Sequence, residues 1–133
     1  MVKRSMLVMT AVALLSLVLM VPTASAAACT ISGTNGDDNL PGTPGPDKIC
    51  GFGGDDTVFG HAGDDIVTAG YGDDRVNGGQ GEDQMKGGPG DDVLQGDEDS
   101  DVDQLYGNGG FDRCVAGPED YVDASCEVVI VNP

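Results

Sequence analysis

A chain of 133 residues is sized for one domain, and it carries 23 acidic against six basic residues, a formal net charge of −17. A polyanion of this density is excluded from binding nucleic acid or an anionic membrane surface. High net charge over a thin apolar content predicts disorder unless something neutralises the carboxylates.

Along the chain, Lys3 and Arg4 precede an apolar run from Met6 to Val21, then Pro22 and the small residues Thr23 to Ala28. This order predicts a secretory signal peptide over 1–26, with cleavage possible as late as 28. The apolar run is 16 residues long, short of the roughly 20 that a membrane-spanning helix needs. The expected setting is therefore secreted and extracellular. The remaining chain keeps Lys48, Arg75, Lys86 and Arg113 against all 23 acidic residues, a charge of −19. Divalent cations are the expected neutralising partner. Cys29, Cys50, Cys114 and Cys126 form an even set in an exported chain and predict two disulfides. Three pairings are possible. The grouping of two near each end favours Cys29–Cys50 with Cys114–Cys126. A zinc site is disfavoured because no CxxC pair exists and His61 stands alone.

From Gly33 to Val115 the chain divides into nine-residue units, beginning GTNGDDNLP and GTPGPDKIC and including GGQGEDQMK and GGPGDDVLQ. The eighth, GDEDSDVDQLY, carries two extra residues. Position one is glycine except at Ala69, and position four is glycine except in the eighth unit. Position six is always aspartate: Asp38, Asp47, Asp56, Asp65, Asp74, Asp83, Asp92, Asp103 and Asp112. Position eight is apolar: Leu40, Ile49, Val58, Val67, Val76, Met85, Leu94, Leu105 and Cys114. Glycines at one and four permit the positive φ of a tight loop. Positions seven to nine predict a short strand, in which six and eight share the inward face. Two units complete one coil, so each unit stacks on the next but one. The expected organisation is an N-terminal cap over 27–32, a repeat region over 33–115 and a C-terminal cap over 116–133 that ends in the apolar strand VVIVNP.

The pattern GGxGxDxUx, with U a large aliphatic residue, resembles the RTX (haemolysin-type) calcium-binding repeat. The start at Cys29 to Ile31 and the C-terminal cysteine pair are similar to small secreted actinobacterial members. The resemblance implies an all-β parallel β-roll. It further implies Ca2+ held between stacked loops by backbone carbonyls and the nine position-six aspartates. Calcium would then lie between Asp38 and Asp56, Asp56 and Asp74, Asp74 and Asp92, and Asp92 and Asp112 on one side. On the other it would lie between Asp47 and Asp65, Asp65 and Asp83, and Asp83 and Asp103. Asp101 replaces the fourth-position glycine of the eighth unit and weakens that last gap. Oxygen-only ligation suits calcium better than magnesium, with affinity roughly in the 10⁻⁴–10⁻³ M range of extracellular modules. A largely disordered calcium-free state follows from the thin core.

Other features lead elsewhere. The carboxylates at position five, Asp37, Asp55, Asp64, Asp73, Glu82 and Asp91, are expected to face solvent. Asp97 to Asp103 resembles the start of an EF-hand loop but has Val102 and Asn108 where the glycine and glutamate belong. His61 is expected to be exposed, the aromatic residues look scattered, and no nucleophile–base set has useful spacing. The expectation is a monomeric, non-catalytic calcium-binding module without a membrane span. A calcium-dependent adhesion role toward a cell surface or polysaccharide is the alternative, ahead of an accessory to a secreted enzyme.

Overall fold

The computed structural model describes residues 28–97 and 100–132. The expected signal peptide lies outside the described residues. Among them, twelve strands numbered along the chain alternate between two six-stranded sheets. One sheet runs β1 (Ile31–Ser32), β3 (Lys48–Gly53), β5 (Ile66–Tyr71), β7 (Gln84–Pro89), β9 (Gln104–Gly109) and β11 (Tyr121–Val122). The facing sheet contains β2 (Asn39–Pro41), β4 (Thr57–Ala62), β6 (Arg75–Gln80), β8 (Val93–Gln95), β10 (Asp112–Ala116) and β12 (Cys126–Val131). Every pairing is parallel, which makes the molecule a parallel β-roll.

Register follows the repeat. Ile49 lies beside Val67, and Val58 beside Val76, so each unit stacks on the next but one. The inserted residues of the eighth unit leave this undisturbed, since Met85 still faces Leu105. The position-eight residues from Leu40 to Cys114 form a buried line between the sheets, joined by Ala69, Ala116 and Cys126. Position-six aspartates turn to the same interior, as the two-residue period of an extended chain requires.

The strands are longer than the three residues expected. From β3 to β7 each spans six, continuing through position three of the following unit. Phe52 pairs with Gly70 and His61 with Gly79, so the glycine-rich half of each loop is itself sheet. A coil stacked on both sides can satisfy those backbone groups across the stack, and only positions four to six remain for the turn.

Both flanks continue the roll. β1 pairs with β3, β11 with β9, and β12, the expected last apolar strand, with β10. Disulfides join Cys29 to Cys50 and Cys114 to Cys126, the pairing favoured above. No helix among the described residues is long and apolar enough to cross a membrane.

Candidate metal centre

Each position-six aspartate closes a turn and leads into a strand. From the second coil onward its Oδ1 accepts the backbone N–H of the aspartate one coil earlier. Asp38 donates to Asp56 at 2.9 Å, Asp56 to Asp74 at 2.7 Å, Asp74 to Asp92 at 2.8 Å and Asp92 to Asp112 at 2.9 Å. On the other side Asp47 donates to Asp65 at 2.8 Å, Asp65 to Asp83 at 2.8 Å and Asp83 to Asp103 at 2.9 Å. These are the same seven pairs that the sequence places one above another. The contact with Asp103 survives Asp101 at position four.

The second oxygen is different. Oδ2 of Asp56, Asp65, Asp74, Asp83, Asp92 and Asp112 is buried and accepts no hydrogen bond. An isolated buried carboxylate oxygen costs kilocalories unless a donor or a cation meets it. The position-one glycine lies directly over it. A Cβ at Gly51 would collide with Oδ2 of Asp56, one at Gly87 with Asp92, and one at Gly107 with Asp112. Burial accordingly pushes these carboxyls above their ordinary range, to about 6 for Asp74 and about 7 for Asp83 and Asp92, and neighbouring carboxylates add to the effect. Burial also raises Asp56, Asp65 and Asp112.

Asp38 and Asp47 occupy the first coil and are partnered differently. Oδ2 of Asp38 accepts from the Thr34 N–H at 2.6 Å and the Thr34 hydroxyl at 2.9 Å. Asp47 receives the same pair from Thr43, at 2.7 and 2.8 Å, and these bonds lower its pKa.

Two acidic residues continue the row beyond the repeats read from sequence. Asp120 Oδ1 accepts the Asp103 N–H at 3.0 Å, and Glu127 accepts the Asp112 N–H at 2.7 Å. The signal for the first was Asp120-Tyr121-Val122, which repeats the aspartate–x–apolar pattern after a shortened loop lacking the fourth glycine. Position-five carboxylates are exposed, as expected, yet they also bind backbone in the opposite sense. Asp37 accepts from the Asp55 N–H, Asp55 from Asp73 and Asp73 from Asp91, each at 2.9 Å.

The donor chemistry fits a hard cation. All the buried charged side chains among the described residues are position-six aspartates, so oxygen is the donor on offer. Among the described residues no three His, Cys, Asp or Glu side chains gather into a ready cage. An ion held by these aspartates would need loop carbonyls or water to complete its shell.

Stacked glycine turns around rows of buried, cation-seeking carboxylates define a metal-binding parallel β-solenoid. The family model for the RTX calcium-binding nonapeptide repeat matches four times, over residues 32–67, 51–85, 68–103 and 83–114, and the chain belongs to this family. The family binds Ca2+, and the protein is a calcium-binding β-roll. No curated protein matches the chain. Among solved structures, the chain is similar to a subunit of the Azotobacter vinelandii mannuronan C5-epimerase, at 27% identity and a TM-score of 0.46. That similarity covers 64% of this chain and 59% of the other.

Proposed function

We propose that this protein is an exported, non-catalytic module that folds when it meets extracellular calcium. The observation that carries this reading is the row of buried oxygens without a donor at Asp56, Asp65, Asp74, Asp83, Asp92 and Asp112. Calcium lies between successive coils, against the position-six aspartates and the carbonyls of the adjoining turns. Removal of residues 1–26 leaves the acidic chain, whose repeat region over 33–115 is closed by caps at 27–32 and 116–133. Neutralising the stacked carboxylates supplies much of the folding free energy. Far-ultraviolet circular dichroism of the mature, disulfide-intact protein tests this during calcium titration, with magnesium as control. A cooperative gain of β signal near millimolar calcium supports the reading, and a fully folded calcium-free chain that ignores calcium overturns it.

A second reading, surface adhesion, is favoured by a cleft of about 620 Å³ on the outer face of the sheet containing β3, β5 and β7. Lys48 and Lys86 line it with Phe52, Thr68, Tyr71 and Asn108, and none of its lining residues is acidic. Phe52 and Tyr71 are exposed, and the Lys86 ammonium lies 6.0 Å from the centre of the Tyr106 ring. Phe52, Tyr71 and Tyr106, scattered along the sequence, thus share one sheet. Although the chain as a whole is acidic, the charged residues of this patch are lysines, and it suits an anionic polysaccharide, with sugar faces on the aromatic rings and acid groups at the lysines. Binding of dextran sulfate but not dextran at saturating calcium, lost in Lys48→Gln/Lys86→Gln, is the expected result. Equal binding of both polymers, or of neither, removes this second reading.

A further inference from the structure

We propose that the calcium row stops short of both ends of the roll, because protein donors replace the ion at Asp38, Asp47 and Asp120. This inference rests on the calcium reading above and assigns which carboxylates take the metal. The first observation is the fate of Oδ2. In the interior coils it is buried with no donor at Asp56, Asp65, Asp74, Asp83, Asp92 and Asp112. At the N-terminal end the Thr34 and Thr43 backbone N–H and hydroxyl groups fill that place on Asp38 and Asp47. At the C-terminal end Oδ2 of Asp120 accepts the Gly117 N–H at 2.6 Å.

The second observation is in the backbone. Position two has a positive φ in the third to seventh units and in the ninth: 79° at Phe52, 81° at His61, 126° at Gly70, 100° at Gly79, 138° at Gly88 and 78° at Asn108. Thr34 and Thr43 occupy position two of the first two units, and neither has a positive φ. The loop therefore takes two forms. In one, the position-two N–H points at the carboxylate. In the other the backbone is turned, no such bond forms, and the oxygen is left for a cation. Phe52 and His61 are held in the left-handed region that L side chains rarely adopt, and Phe52 is still exposed, so side-chain burial does not offset that strain.

The stacking geometry explains the division. Each carboxylate reaches back toward the coil before it, through the N–H of the aspartate one coil earlier. The first two units have no earlier repeat loop to sandwich an ion, and a threonine closes each carboxylate instead. Asp47 is also contacted by the Thr30 hydroxyl, at 3.0 Å. Calcium is thus held by Asp56, Asp65, Asp74, Asp83, Asp92 and Asp112, and the terminal coils are closed without it.

Native mass spectrometry of the mature protein, at a free calcium concentration that saturates the circular-dichroism change, tests the assignment by counting bound ions. Asp38→Asn/Asp47→Asn is expected to hold as many ions as the unsubstituted protein, whereas Asp74→Asn holds one fewer. Asparagine still accepts from threonine, and the two single variants repeat the count should the double variant not fold. A double variant that loses two ions overturns the proposal while leaving the calcium reading intact. An unsubstituted protein that binds no calcium overturns that reading itself.

Discussion

The backbone N–H of Asp74 donates to Oδ1 of Asp92 at 2.8 Å, while Oδ2 of Asp92 is buried and accepts nothing. One oxygen of the same carboxylate thus ties two coils together and the other asks for a positive charge. Asp92→Asn keeps the first role and removes the charge behind the second. The expected result is a rise of roughly tenfold in the calcium midpoint of folding, about 1.4 kcal/mol, measured by circular dichroism titration.

Protons should partly replace calcium. The folded-state pKa is raised to about 6 for Asp74 and to about 7 for Asp83 and Asp92, above the ordinary carboxylate value. Groups raised in this way bind protons more tightly when folded. Their stabilising contribution is complete below the unfolded pKa and is lost as pH rises through about 6 to 7. Asp47, lowered by Thr43, works in the opposite direction and only at more acidic pH. A calcium-free sample should therefore show more β structure at pH 5 than at pH 8, and calcium should bind more weakly at the lower pH. Circular dichroism and calorimetry at both values check this.

Gly87→Ala tests the steric demand over the carboxylate. The added Cβ would strike Oδ2 of Asp92 and must displace it from the position a cation needs. A loss of roughly 1–3 kcal/mol is expected, read from thermal melts in saturating calcium. Gly45→Ala is the control, since a Cβ there meets nothing within 4 Å.

Cys114–Cys126 joins the last core position of the repeats to β12 across a separation of 12 residues. Replacing both cysteines with alanine should cost about 3 kcal/mol through the unfolded state. The same change raises the calcium needed for folding, because the lost stability must come from binding.

Met85 is fully buried in the single apolar line of the roll. Met85→Ala should destabilise the calcium-loaded protein by about 2–5 kcal/mol. Thermal denaturation at fixed calcium measures it. A much smaller loss would mean that the metal row carries the fold with little help from the core.

Much of this was legible in the chain itself. A nine-residue period with aspartate at six and an aliphatic residue at eight determines which side chains turn inward, because the alternation of an extended chain leaves no choice. It also determines that Asp56 lies over Asp38 and Asp74 over Asp56, and the grouping of cysteines pointed to the pairing observed. Asp120 was harder to see because its loop is shortened and the fourth glycine is gone. Glu127 is not an aspartate at all. Their roles come from the coil beneath, whose Asp103 and Asp112 N–H groups need acceptors.

Three things were decided only by the assembled roll. Backbone pairing with the next coil turned the glycine-rich residues at positions one to three into strand, since stacked neighbours satisfy groups that an isolated loop leaves to water. Stacking at two-unit intervals brought Phe52, Tyr71 and Lys86 to one cleft although they are far apart in sequence. And although aspartate recurs identically at position six, the folded turn decides that Thr34 reaches Asp38 while no donor reaches the second oxygen of Asp92. A threonine answers the first carboxylate, and the second is left buried with one oxygen that accepts nothing.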